Sequence, residues 1–186
     1  EALPLQPACL CRRKAAAVLC KIPHLFRMNL SPNILEHIRA FLPEQGCIVD
    51  VGCGDGVLLH SLAQLGYHSL CGIDPCLTEG TADDNAIKFL RGSAEALPLP
   101  DYSAEAIVLQ CVFSLCEPAQ AVREVGRVLK ENGVLLVADL YSVHADSYFR
   151  DNPLVRNIYS LEHLEALFVQ AFSLTKFLDE TDALKD

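Results

Sequence analysis

Three glycines stand at alternate positions in Asp50-Val51-Gly52-Cys53-Gly54-Asp55-Gly56. Residues without a Cβ let a chain turn tightly and let a ligand approach the backbone. Their spacing discriminates among ligands. A dinucleotide fingerprint needs G-x-G-x-x-G, and its third glycine would fall on Val57. A phosphate-binding P-loop needs a Gly-Lys-Ser/Thr that does not follow. A further acid, Asp74, stands 22 residues beyond Gly52 and directly before Pro75. A carboxylate there can accept both hydroxyls of a ribose and would repel a nearby phosphate. Loop and acid together suit a phosphate-free nucleoside.

These groups need elements to hold them. Cys47–Val51 is a short apolar run that reads as a buried strand. Gly56–Leu65 follows as a helix, with Leu58, Leu59, Leu62 and Leu65 on one face and Gly66 closing it. Ser69–Ile73 reads as a second strand, Lys88–Arg91 as a third, Ala106–Cys111 as a fourth, Val134–Leu140 as a fifth and Ser173–Leu178 as a sixth. Pro118–Lys130 and Leu161–Ala171 read as helices, and Asn132-Gly133 as a turn. Ser31-Pro32 caps a further helix running to about Leu42. The alanines of Arg12–Cys20 favour one short helix within an otherwise irregular segment 1–30. Strands that alternate with helices imply βαβ units, a parallel sheet covered on both faces, and ligands beyond the carboxyl ends of the strands. The helix after the glycine loop would turn free N–H groups and a positive dipole end towards an anionic group. Tyr141–Ser160 is the longest unassigned stretch and suits a functional loop or lid.

The chain has 186 residues, 51% of them hydrophobic, which is enough for one domain with its own core. A formal net charge of −9 disfavours nucleic acid as a partner and points to a small-molecule substrate. Nine cysteines, an odd number at scattered spacings, argue against a disulfide framework and for a reducing, cytoplasmic setting. No apolar stretch reaches the roughly 18 residues that span a bilayer, so no membrane partner is expected. The chain opens on Glu1 without an initiator Met, and a preceding start is expected. The expected organisation is a cap segment over 1–30 and a single domain over 31–186.

Four segments together carry a family resemblance. Val49–Gly56 resembles the first motif of class I S-adenosylmethionine-dependent methyltransferases, and Gly72-Ile73-Asp74 the second. Gly92–Asp101 resembles the third, with Ser93 where an acid is usual, and Val125–Leu136 the helix-turn-strand of the same family. The resemblance implies a doubly wound, mostly parallel Rossmann-like sheet with helices on both faces and, here, a helical N-terminal cap. It implies S-adenosylmethionine as cofactor and methyl transfer by in-line displacement. Gly52, Cys53, Gly54 and Gly56 would line its methionine part, with Asp50 ordering the loop. Asp74 and Pro75 would hold the ribose, Ser93 and Ala94 the adenine, and Gln110 and Cys111 the methionine end. A narrower similarity of Gln110–Leu115, Asp139–Tyr141 and Leu178–Lys185 is to methyltransferases of anaerobe sulfur-transfer gene clusters and, loosely, to arsenite methyltransferases. It implies a helix continuing past Asp186.

An oxygen or nitrogen acceptor can need a base. Glu117, Asp139, Tyr141, His144 and Tyr148 fall at the expected edge. His144 is the first candidate base, and Tyr141 is a second catalytic candidate whose ring suits a sulfonium charge. Each of these also reads as a solvated loop residue. Cys53, Cys76, Cys111 and Cys116 collect at the same edge, where packing is the simpler reading than metal binding. No metal is expected. The alternative function is a nucleoside-binding regulatory domain without turnover.

Overall fold

The computed structural model describes residues 14–21, 32–77, 86–141 and 159–179. His144, Tyr148, residues 142–158 of the expected lid, Cys9, Cys11 and the closing residues 180–186 lie outside them. In chain order the elements are β1 (Lys14–Lys21), α1 (Pro32–Phe41), β2 (Ile48–Val51), α2 (Val57–Gln64), β3 (Leu70–Asp74), β4 (Ile87–Arg91), β5 (Ala104–Gln110), α3 (Pro118–Val128), β6 (Leu129–Tyr141), α4 (Leu161–Val169) and β7 (Ser173–Asp179).

The strands form one sheet in the order β4-β3-β2-β5-β6-β1-β7, and every pairing in it is parallel. Period-two alternation divides the sheet between two cores. Val49, Val51, Ile73, Ile107, Leu109, Leu135 and Val137 pack towards α3 and α4, against Ala121, Val125, Leu164 and Phe168. Ile48, Leu70, Ile87, Ala106, Val108 and Leu136 face the other way, towards Ile38, Leu58, Leu59 and Leu62 of α1 and α2. Burial on both faces explains why these strands read as continuous apolar runs.

Two expectations need correction. The expected helix over Arg12–Cys20 is not formed by the described part of that segment. Lys14–Lys21 is a strand inserted between β6 and β7, so it belongs to the sheet and not to a helical cap. An interior strand suits a run of small apolar residues, and pairing on both sides overrides the helix preference of alanine. The Asn132-Gly133 turn falls inside β6, where the register against β5 jumps from Ala104↔Leu129 to Ala106↔Val134. The turn chemistry is absorbed there as an irregularity of the ladder.

Candidate functional site

The chain winds from β2 to β3 and β4 on one side, then returns to β5 and β6 on the other. The carboxyl ends of β2 and β5 therefore flank the point where the winding reverses, which is where such sheets bind ligands. The loops singled out from sequence all start at this edge. Gly52–Gly56 follows β2, Pro75-Cys76 follows β3, Gly92–Ala94 follows β4, Cys111 follows β5, and Tyr141 ends β6.

Gly52, Gly54 and Gly56 have φ of +76°, +53° and +78°, in the left-handed region that glycine enters without strain. The amides of Gly52 and Cys53 donate to the Ile73 carbonyl at 2.7 and 3.2 Å, folding the loop onto β3. Gly54 N then donates to Asp74 Oδ2 at 3.0 Å, and Cys76 N to Asp74 Oδ1 at 2.7 Å. Each carboxylate oxygen keeps further acceptor capacity after one such bond. A Cβ on Gly52 would sit 2.7 Å from Val112 Cγ2, and one on Gly56 2.8 Å from Phe89 Cζ. A Cβ on Gly54 would meet nothing within 4 Å. Two glycines thus admit neighbouring side chains, and the middle one opens onto free space beside Asp74.

Asp50 is 3% exposed, and its carboxyl makes no hydrogen bond among the described residues. Burial, and then the charge of Asp74, pushes its pKa up to about 7. Buried polar groups are almost always satisfied, so an orphaned carboxyl at a ligand edge is itself a signal. It fits a ligand that brings a cationic donor. The Cys53 thiol is buried and pushed up to about 12, by burial first and then by Asp50 and Asp74. It is a neutral packing group, not a nucleophile.

The turn after β5 is held from β6. Cys111 has φ of +54°, unusual for a residue with a Cβ, and its amide donates to the Ala138 carbonyl at 2.8 Å. Phe113 N donates to Oδ2 of the buried Asp139 at 2.8 Å. Asp139 was a candidate base in sequence, and the structure gives this oxygen the separate work of anchoring the turn. Tyr141 is buried in the core on the α3–α4 side. Glu117 stands at the N-cap of α3, and its amide donates to Glu95 Oε1 at 3.0 Å. On the far side of the edge, Arg91 Nε donates to the Pro75 carbonyl at 3.1 Å. Ala96 N donates to the Ser93 carbonyl at 3.1 Å, and Ala94 is buried beneath that turn. Cys76 is exposed, Cys111 half-buried and Cys116 buried. Among the described residues, no cluster of His, Cys, Asp and Glu could hold a metal ion. Among the same residues, no helix is long and apolar enough to cross a membrane.

The structure therefore brings Asp50, Gly52, Cys53, Gly54, Gly56, Asp74 and Pro75 together, with Ser93 and Ala94 on one flank and Gln110 and Cys111 on the other. Sequence reasoning missed the anchoring role of Asp139 and the left-handed Cys111. The only sequence signal for either is a polar residue at each of two neighbouring strand ends.

Residues 49–137 match the methyltransferase-domain family. The chain is 27% identical over 111 residues to the ubiquinone biosynthesis O-methyltransferase of Azorhizobium caulinodans, covering 55% of this chain and 44% of that protein. It is 32% identical over 108 residues to the ubiquinone/menaquinone biosynthesis C-methyltransferase UbiE of Hahella chejuensis, covering 58% and 37%. The crystal structure of YcgJ from Bacillus subtilis superposes with a TM-score of 0.60 at 25% identity, covering 74% of this chain and 66% of that one. The chain spans less than half the length of the curated relatives it matches.

Proposed function

We propose that the chain carries a class I S-adenosylmethionine-dependent methyltransferase domain and transfers the methyl group of this cofactor to a small-molecule acceptor, a reading supported by the methyltransferase-domain match over residues 49–137. The observation that carries the reading is the pair of acids at the glycine loop. Asp74 is fixed by two backbone amides with acceptor capacity to spare for the two ribose hydroxyls. Asp50 is buried, makes no hydrogen bond among the described residues, and would suit an ammonium group such as the one on the methionine part. The amides at the start of α2 suit the carboxylate of the same part. Ser93 and Ala94 stand at the adenine flank. Gln110 and Cys111 stand at the methionine end.

When bound, S-adenosylmethionine supplies a methyl group on a positive sulfur, open to in-line displacement. The protein's share is to hold the acceptor in line and close, which by itself removes much of a barrier. Tyr141 and His144 are the residues proposed to help an acceptor that must lose a proton. The acidic balance of −9 favours a small acceptor over a nucleic acid.

The test is methyl transfer from labelled S-adenosylmethionine to a panel of small hydroxyl, amine and thiol acceptors, with product identified by mass. Turnover on any of them supports the proposal. Tight cofactor binding with no turnover on the whole panel would point to a regulatory nucleoside-binding domain.

A further inference from the structure

Helix α3 holds the loop after β4 at its N-cap and over its last turns, although it lies in the chain after β5. At its start, Glu117 N bonds Glu95 Oε1. Two turns further, Glu124 Oε2 accepts from Leu97 N at 2.9 Å. The Arg127 guanidinium uses all three nitrogens. Nε donates to Glu124 Oε1 at 2.9 Å, and Nη2 to Glu124 Oε2 at 2.7 Å and the Leu97 carbonyl at 3.0 Å. Nη1 donates to the Leu99 carbonyl and to Asp101 Oδ1, both at 2.8 Å. The end of the helix closes the grip, with the Arg127 and Val128 carbonyls accepting from Tyr102 and Ser103 at 3.0 and 2.9 Å. Bonds to the Arg127 fork hold the Glu124 carboxyl below its usual range, so the pair stays ionised at neutral pH.

A loop that reads a ligand must be shaped before the ligand arrives, or its ordering weakens binding. Among the described residues, Ser93–Ala96 is bonded to itself through the bridge between its ends, and to α3 through Glu95. Its continuation, Leu97–Asp101, is clamped by a planar fork that lysine cannot reproduce. We propose that Glu124 and Arg127 are positioning residues for purine recognition: from α3 they fix the shape of the Ser93–Pro100 loop, and with it the fit of the adenine ring. This deepens the methyltransferase reading and rests on it. Neither side chain is proposed to touch the cofactor.

The experiment compares wild type with Arg127→Gln and Arg127→Lys. Hydrogen exchange of the amides over 93–101, without ligand, reads the clamp. Titration with S-adenosylhomocysteine and with its inosine counterpart reads the purine fit. The expected result is faster exchange in both variants, largest at Leu97, with roughly tenfold weaker S-adenosylhomocysteine binding in Arg127→Gln. Preference for adenine over hypoxanthine should shrink as well. Where turnover is available, KM for the cofactor should rise while kcat holds. The lysine variant keeps the charge and serves if the glutamine variant does not fold. Unchanged exchange over 93–101 would overturn the clamp. Faster exchange with unchanged affinity and purine preference would overturn its role in recognition. Wild type that binds neither ligand would count against the cofactor reading, while the exchange result still judges the clamp.

Discussion

Asp50 is the residue on which the electrostatics of the site turn. Its carboxyl is pushed up to about 7 from an ordinary 3.8 by burial and by Asp74. Between about pH 4 and 7 the folded chain holds a proton there that the unfolded chain has lost. Stability contributed by this group is therefore complete below pH 4 and is lost as pH rises through 7. Asp50→Asn should raise Tm relative to wild type increasingly from pH 4 to 7.5, then by a constant margin. Thermal melts across that range check this, and a margin independent of pH would contradict it. The same group should favour a cationic ligand once ionised. Affinity for S-adenosylhomocysteine should climb from pH 6 to 8 in wild type and stay flatter in the asparagine variant.

At the scale of elements, the glycine loop separates packing from access. Gly56→Ala would place a Cβ in the left-handed region and 2.8 Å from the Phe89 ring. The conformation costs about 1–2 kcal/mol and the overlap about 1–3 kcal/mol more. A fall in Tm of about 5–15 °C should follow for a chain of this size. Gly54→Ala keeps only the conformational term, because nothing lies within 4 Å. It should melt within a few degrees of wild type and yet bind the cofactor far more weakly, since the new methyl enters the open space beside Asp74. Equal stability losses in the two variants would contradict the geometry.

Much at this scale was readable in advance. All six strands named from sequence are present; β2, β3, β5 and β6 were legible because burial on both faces writes itself as continuous Ile, Leu and Val. The glycine loop was readable because left-handed φ demands glycine. The strand Lys14–Lys21 was not, since a run of Ala gives helix propensity and no sign of its two partners. The grip of Glu124 and Arg127 on Leu97, Leu99 and Asp101 was not either. It joins residues some thirty positions apart, a distance at which no local periodicity reports contact.

For the whole molecule, β1 decides how the sheet ends. It pairs with β6 from Lys14↔Val134 to Lys21↔Tyr141 and with β7 on its other side. Removing residues 1–21 would bare an edge of β6 and cut β7 from its partner. The shortened chain should lose its cooperative thermal transition and associate on size exclusion. A monomer with unchanged Tm would contradict the assigned topology. The order of the sheet is also what gathers the site, since β2 and β5 are neighbours only because the winding reverses between them.

On the proposed reading this edge holds S-adenosylmethionine through Asp74, and calorimetric titration with S-adenosylhomocysteine measures that hold. Wild type should bind one equivalent. Asp74→Ala should bind roughly tenfold to a hundredfold more weakly, as expected from about 1.5–3 kcal/mol for a hydrogen bond to a charged group. Absence of binding to wild type, or equal affinity in the two proteins, would contradict the account.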